Sequence, residues 1–171
     1  MQLAKVPVAA AAPLPPVAPV NALKIAIVVM GETTSRSFWS RERVPAYSAK
    51  MAGLYDGTLH QQARGRIDVA RNDGALAKPI LDGSPKAAQQ VCDSSGAAVI
   101  FVAHAQQAFS LSQIESAYFP ELRLGAIACA SGKRLVSSYN LSPRNDDAFP
   151  FSQDMSRAMT DFVREKLPLV Q

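Results

Sequence analysis

The sequence has no apolar run long enough to cross a membrane, because every stretch of that length is interrupted by proline or charge. A membrane-spanning helix needs about 20 consecutive apolar residues, so none is predicted. The excess of positive over negative charge is also small: 18 lysines and arginines against 14 aspartates and glutamates leave a net charge of only +4. Nucleic-acid-binding domains concentrate far more positive charge, so we expect no nucleic-acid partner.

Motifs that hold nucleotides or activate a nucleophile are absent as well. The chain has no G-x-G-x-x-G, no Walker loop and no G-x-S-x-G elbow. The segment Gly31–Ser35 has a single glycine, and Glu32 within it would repel phosphate. The two histidines, His60 and His104, are not in metal-ligand spacing with each other or with the cysteines. We therefore expect no cofactor, no metal and no enzymatic activity.

Proline is abundant and unevenly placed. Of the twelve prolines, five lie in the first twenty residues: Pro7, Pro13, Pro15, Pro16 and Pro19. Because proline fixes φ and removes a backbone donor, residues 1–22 should be extended and polyproline-like. A disordered tail, a semi-rigid spacer of ~3.1 Å per residue and an extended strap on a partner all fit this composition. We interpret residues 1–22 as a flexible tether rich in proline and alanine, and residues 23–171 as a single domain.

The strand pattern is clearest in two short apolar runs. Lys24–Met30 and Ala97–Ala103 have the profile of buried strands, whereas Arg66–Ala70 alternates polar and apolar residues as a half-exposed strand does. Glu121–Cys129 and Lys133–Asn140 flank a short segment that contains Gly132, which predicts a β-hairpin.

Three helices are predicted between and after these strands. Apolar residues recur at helical spacing over Ala46–Ala63, and Ser84-Pro85 is a typical N-cap and first position of a helix that ends at Gly96. Ser152 should cap a final helix that ends before Pro168. Residues 71–83 are predicted as a loop, and residues 104–119 as a short helix or a long loop. The order β-α-β-α-β-β-α predicts an α+β fold, with helices packed on a mixed sheet.

The two cysteines, Cys92 and Cys129, admit two interpretations. They are either buried free thiols, which behave as small hydrophobes, or a disulfide. A disulfide over this separation would contribute roughly 3–4 kcal/mol in the chain-entropy model. Two cysteines and no others suit an oxidising compartment.

The histidines receive different predictions. His60 lies near the polar side of the first predicted helix, where a solvated role is expected, whereas His104 directly follows an apolar strand. A small α/β enzyme or ligand-binding domain that uses the loops around Gly31 and His104 is the alternative function. An enclosed pocket holding His104, Glu32 and a serine would favour that alternative, and solid packing there would exclude it.

A basic and aromatic segment is the preferred contact surface. Residues 36–71 carry seven lysines and arginines against three acidic residues, as a solvated face or a docking surface would. Aromatic and arginine side chains dominate interface energies where they are used. We predict that Phe38, Trp39, Arg41 and Arg43 bind a protein partner, the alternative being that an aromatic ring packs back onto the domain.

The order of elements resembles the amino-terminal domain of TolB and its relatives, LpoB and the periplasmic domain of CsgG. The residues that carry the resemblance are Lys24–Met30, Ala46–Ala63, the Ser84–Ala103 helix and strand, the hairpin around Ser131-Gly132-Lys133, and Ser152–Leu167. The chain departs from the group at Cys129-Ala130 and Ala103-His104, and we do not expect the β-propeller into which TolB continues.

The resemblance implies an envelope protein that works through protein contacts. It implies a periplasmic accessory or assembly subunit, tethered to the outer membrane by a lipid anchor that this sequence does not contain. Such a subunit would dock on a secretion, pilus or flagellar machine or regulate cell-wall synthesis. A homo-oligomer, formed through the sheet edges, is one of the alternatives.

Overall fold

The computed structural model describes residues 21–34, 43–45, 48–109, 118–140 and 153–170. These residues form the predicted α+β fold, a mixed β-sheet with helices on both faces. The elements are β1 (Leu23–Thr34), β2 (Arg43–Pro45), α1 (Ser48–Gln62), β3 (Ile67–Asn72), a 3₁₀ turn (Gly74–Leu76), α2 (Ala77–Leu81), α3 (Pro85–Ser95), β4 (Val99–Phe109), β5 (Tyr118–Ala128), β6 (Arg134–Asn140) and α4 (Gln153–Val170).

The sheet combines parallel strands at one side with a hairpin at the other. β1 is parallel to both β3 and β4, while β4, β5 and β6 are successively antiparallel. β2 and β3 flank β1 on the same side: β3 pairs with residues 23–28 and β2 with residues 32–34. The order across the sheet is therefore β2 or β3, then β1, β4, β5 and β6.

Two apolar cores lie on opposite faces of this sheet. Alternating side chains of each strand point to opposite faces, so the strand periodicity of two divides the apolar residues between them. We call the faces the α1–α4 face and the α2–α3 face, after the helices that cover them. The first buries Ile25, Ile27, Phe101 and Leu124, and the second buries Ala26, Val28, Ile100 and Val102. This double burial explains why Lys24–Met30 and Ala97–Ala103 are apolar without alternation.

The start and the stop predicted for α3 are both confirmed. The Ser84 hydroxyl accepts a hydrogen bond from the backbone N–H of Ala87 at 3.2 Å, Pro85 begins α3, and Gly96 ends it with φ of 62°. Only glycine adopts that φ without strain, which fixes the end of α3. The hairpin turn has the same requirement at Gly132, whose φ is 69°.

Several segments differ from the sequence predictions, among them β1, which continues past Met30 to Thr34. The loop predicted over residues 71–83 contains the 3₁₀ turn and α2, and the unpredicted β2 pairs with the end of β1. Residues 104–109 continue β4, so a helix or loop beginning at residue 104 was wrong. Pro168 lies inside α4 instead of following it, because the last turn continues to Val170, which is buried against the α1–α4 core. Among the described residues, no helix has both the length and the apolar character needed to cross a membrane.

Candidate functional site

The predicted contact surface falls largely outside the described residues. Phe38, Trp39 and Arg41 lie there, and Arg43 begins β2, where its Cα pairs with that of Thr34. The proposed partner-binding role of these four residues stays a prediction. Ser152, the predicted cap of the last helix, also lies outside the described residues.

Cys92 and Cys129 form a disulfide. Cys92 lies in the last turns of α3, Cys129 immediately follows β5, and their Cα atoms are 5.8 Å apart. The backbone N–H of Cys129 also donates a hydrogen bond to the carbonyl of Ala98 at 2.9 Å. Both cysteines pack against the core of the α2–α3 face. Of the two sequence interpretations, the structure has the disulfide, which joins a helix to the hairpin.

His104 is buried and paired with Glu32. It lies within β4, on the α2–α3 face, with only 3% of its surface exposed. Its Nε2 lies 3.0 Å from Oε2 of Glu32, whose side chain is 24% exposed. The pairing follows from register, because Met30 of β1 lies opposite His104 and Glu32 is two residues further along the same face. The carboxylate holds the imidazole in one orientation.

As far as the structure describes them, β1 and β4 stay paired beyond His104 and Glu32 and do not diverge. In open parallel sheets, ligands bind where neighbouring strands end and their connections diverge. Here β1 and β4 do not end at that point: they continue side by side, with Glu32 opposite Gln106 and Thr33 opposite Gln107. Each then leads to an antiparallel partner strand, β2 or β5. The continued pairing of β1 and β4 therefore replaces the crevice that a doubly wound fold would open between these two strands.

Two arginines of the hairpin hold the carboxyl end of α2. Nη2 of Arg134 donates to the carbonyls of Ile80 and Leu81, each at 3.0 Å. Arg123 donates through Nη2 to Leu81 O at 3.0 Å and through Nη1 to Oδ1 of Asp82 at 2.6 Å. Cations are favourable beside the carbonyls that end a helix. We conclude that these arginines have a structural role.

Asp82 lies at the centre of this cluster, and replacing it tests whether the contacts of the cluster stabilise the fold. Hydrogen bonds from Lys78 and then Arg123 lower the pKa of Asp82 from 3.8 to about 2. The pKa of Asp82 is lower in the folded state than in the unfolded chain. The ionised carboxylate therefore stabilises the fold above pH 3.8, and this stabilisation is lost as the pH falls through about 2. We expect Asp82→Asn to lose less stability than wild type between about pH 4 and about pH 2, measured by urea unfolding.

The matched control for that experiment is Asp93→Asn. Asp93 is an exposed carboxylate on α3 that accepts a hydrogen bond from the neutral amide of Gln89. Its variant should keep the wild-type acid dependence. An Asp82→Asn profile with the same slope as wild type would show that the arginine and lysine contacts do not stabilise the folded state.

His60 is solvated, as predicted. It is 54% exposed on α1, and its Nδ1 lies 2.9 Å from both the backbone carbonyl and the Oδ1 of Asp56. Nη2 of Arg71, on β3, lies 3.6 Å from Oδ2 of the same aspartate. His60 and Arg71 are each 54% exposed, and ion pairs of exposed side chains contribute little to stability.

A cleft of about 250 Å³ opens at the edge of the sheet. It lies between β1, the end of β3 and the start of α1, and sequence reasoning missed it because β2 was not predicted. Its described lining comprises Ile27, Val29, Met30, Ser48, Ala49, Ala52, Arg71, Asn72 and Gly74. Glu32 and His104 are not among these residues, so the pocket that would have favoured an enzyme at His104 is not the cleft found here.

Comparisons with known proteins give distant structural similarities. The PelC dodecamer from Paraburkholderia phytofirmans is 11% identical, with a TM-score of 0.45 over 84% of this chain and 86% of that chain. Lipoprotein GNA1162 from Neisseria meningitidis is 11% identical, with a TM-score of 0.45 over 86% of this chain and 99% of that chain. Hypothetical protein CT253 from Chlamydia trachomatis is 11% identical, with a TM-score of 0.42 over 88% of this chain and 89% of that chain. No family model matches the chain, and no curated protein matches it either.

These similarities describe other proteins. One of them forms a dodecamer and another is a lipoprotein. At such identities and TM-scores, neither property carries over to this chain. The more specific resemblance to TolB, LpoB and CsgG also stays a prediction from the sequence.

Proposed function

We propose that this chain is a non-catalytic accessory subunit of the cell envelope, which docks on a larger envelope machine. The observation that carries the proposal is the disulfide between Cys92 and Cys129. Structural disulfides form and persist in oxidising compartments such as the periplasm and are rare in the cytosol. The disulfide therefore supports export of the protein to such a compartment. An envelope subunit works in that compartment.

The way this disulfide is placed supports a structural rather than a catalytic bond. It ties α3 to the turn of the β5–β6 hairpin, and both cysteines are packed against an apolar core. Catalytic and redox-sensing cysteines are accessible and lie in electropositive surroundings, whereas structural ones are enclosed. In our proposal the disulfide stiffens the module, and the proline-rich segment of residues 1–22 holds the module away from an anchor.

The docking surface in this proposal is the segment that contains Phe38, Trp39, Arg41 and Arg43. In sequence it follows β1, and its described residue Arg43 begins β2, which pairs with the end of β1 on the side away from the hairpin. The periplasmic location, the tether and the machine belong to the proposal. So does the absence of catalysis, which is supported by the continued pairing of β1 and β4 beyond His104.

Photocrosslinking in cells of the source organism tests this proposal. With the exported chain, a photoreactive residue in place of Trp39 should give a crosslinked protein adduct in the envelope fraction. The same residue in place of Arg164, which is exposed on α4, is the control and should give none. Trp39→Ala and Arg41→Ala should each weaken the crosslink from a neighbouring position by about tenfold, as interface anchors do, and leave the melting temperature nearly unchanged.

Three outcomes would contradict the proposal. A large loss of melting temperature in Trp39→Ala would place the ring in the core. Free thiols at Cys92 and Cys129 in the exported protein, detected by alkylation and mass spectrometry, would remove the support from the disulfide. Equal crosslinking from positions 39 and 164 would show that no specific docking surface exists there.

A further inference from the structure

The cleft at the sheet edge exists because β1 has a gap in its pairing. β3 pairs with β1 as far as Val28, and β2 pairs with it only from Glu32 onwards. After Asn72 the chain leaves towards the α2–α3 face, whereas α1 begins at Ser48 on the opposite face. The two connections thus diverge beside Val29 and Met30. This divergence at the carboxyl end of a parallel strand is the arrangement that produces ligand crevices in α/β sheets.

Small residues keep the cleft open. α1 places Ala49 and Ala52 in its lining and Gly53 beside Arg71. A Cβ at Gly53 would still lie 4.0 Å from Nη2 of Arg71, which is ordinary contact distance. On the opposite wall, Gly74 approaches so closely that a Cβ there would overlap the carbonyl oxygen of Val29. One wall is therefore fixed by a tight backbone approach, while the other lacks the side chains that would fill the space.

The polar groups of the described lining are all able to donate hydrogen bonds. They are the guanidinium of Arg71, the amide of Asn72 and the hydroxyl of Ser48. The described lining contains no carboxylate. Asn72 donates weakly to the carbonyl of Ala70, at 3.4 Å. Arg71 is 54% exposed, and its Nη2 lies 3.6 Å from Oδ2 of Asp56; within the described part of the chain, this contact leaves its other N–H groups able to reach a ligand.

Ser48 has an unusually poor acceptor for its own proton. Its Oγ accepts a hydrogen bond from the backbone N–H of Gly31 at 3.0 Å. The hydroxyl proton points to the thioether sulfur of Met30 at 3.7 Å. A thioether is a weak acceptor, so the proton would gain by turning to an anionic oxygen. Ser48 is thus held in position by the backbone and retains a donor for a ligand.

We propose that this cleft binds a carboxylate carried on a small apolar group. The apolar part would lie against Ile27, Val29 and Ala52, and the carboxylate would accept hydrogen bonds from Arg71 and Ser48. An apolar floor with a few convergent polar groups is the usual composition of a ligand site, and a volume of about 250 Å³, slightly below the usual size range, suits only a small group. The inference is independent of the envelope role, because it concerns the purified chain alone.

Such a carboxylate has two sources, which binding experiments distinguish. One is a free short-chain acid, probed by hexanoate. The other is the carboxyl terminus of a peptide that ends in an apolar residue, probed by an acetylated tripeptide ending in leucine. The tripeptide amide, which lacks the charge, is the matched ligand control. Dissociation constants follow from chemical shifts of Ala49, Ala52 and Asn72 during titration of the full chain up to about 10 mM ligand.

We expect the acid form to bind at least about tenfold more tightly than the amide, because hydrogen bonds to a charged group are the stronger ones. Arg71→Gln should weaken the acid by about tenfold or more and leave the amide unchanged. Arg66→Gln removes the same charge from an exposed position outside the lining and should bind like wild type. Ala49→Leu, on the exposed side of the cleft, should block both ligands.

The outcomes separate clearly. Tighter binding of the tripeptide acid than of hexanoate assigns the cleft to a peptide terminus, and equal or weaker binding assigns it to a free acid. Equal binding of acid and amide, an Arg71→Gln effect no larger than that of Arg66→Gln, or no binding by any probe would overturn the proposal. Since Arg71 is exposed, its variant should keep the wild-type melting temperature, which separates a lost ligand contact from a lost fold.

Discussion

Replacing both cysteines, as Cys92→Ser with Cys129→Ser, is expected to lower the free energy of unfolding by about 3–4 kcal/mol. The disulfide closes a loop between residues 37 positions apart, so its loss restores conformational entropy to the unfolded chain. For a domain of this size, the melting temperature should fall by roughly 10 °C. Circular dichroism during heating and urea unfolding at neutral pH measure both quantities.

Two comparisons isolate the effect of the covalent bond. Reductant added to wild type should reproduce the stability of the variant, and it should leave the variant itself unchanged. A second variant with alanine at both positions removes the cost of placing serine hydroxyls against the core of the α2–α3 face. If wild type keeps its melting temperature after complete reduction, shown by alkylation and mass spectrometry, the bond does not support the fold.

The order of elements was predictable because the responsible patterns are local. Apolar runs that are buried on both faces identified β1 and β4, and Ser84-Pro85 with Gly96 set the ends of α3. Capping and turn geometry depend on a few neighbouring residues, so a sequence carries them directly. The hairpin around Gly132 was predicted for the same reason.

The segment between β3 and α3 was not predictable in this way. α2 has only five residues, and an isolated helix of that length does not form in water. Its carbonyls are held by Arg123 and Arg134, which lie more than forty residues further along the chain. Tertiary contacts therefore stabilise this helix, and no local sequence pattern predicts it.

The candidate sites depend on register, which is equally non-local. The contact of His104 with Glu32 requires that β1 and β4 be parallel neighbours with Met30 opposite His104. The cleft requires that β3 stop at Asn72 while the three-residue β2 begins beyond it on the same side of β1. A shift of register in either pairing would move these side chains to the other face of the sheet or to another position along the neighbouring strand. The sequence could name Glu32 and His104 as a pair to examine, but it could not place them or reveal the cleft.

The second large effect is expected from Phe101→Ala, which should destabilise the fold by about 3–5 kcal/mol. Phe101 is fully buried on β4, and its ring makes edge contacts with Tyr55 of α1 and Phe162 of α4, at centroid distances of 5.9 and 6.3 Å. Truncation removes apolar contacts to both helices and leaves a cavity between them. Urea unfolding gives the change, and Val136→Ala, at a position that is 40% exposed, is the control with an expected change within about 0.5 kcal/mol.

Phe101→Leu separates the two contributions to that loss. Leucine restores most of the buried volume but not the edge-to-face geometry, which is worth about 0.5–1.5 kcal/mol for each aromatic pair. Its cost should therefore lie well below that of alanine. The hydroxyl of Tyr55 donates a hydrogen bond to the carbonyl of Val102 at 3.1 Å. We expect this bond to persist in both variants, so that α1 keeps one contact with β4 when the ring contact is lost. If Phe101→Ala costs no more than Phe101→Leu, the helices have closed over the space, and the aromatic cluster does not fix α1 and α4 on the sheet.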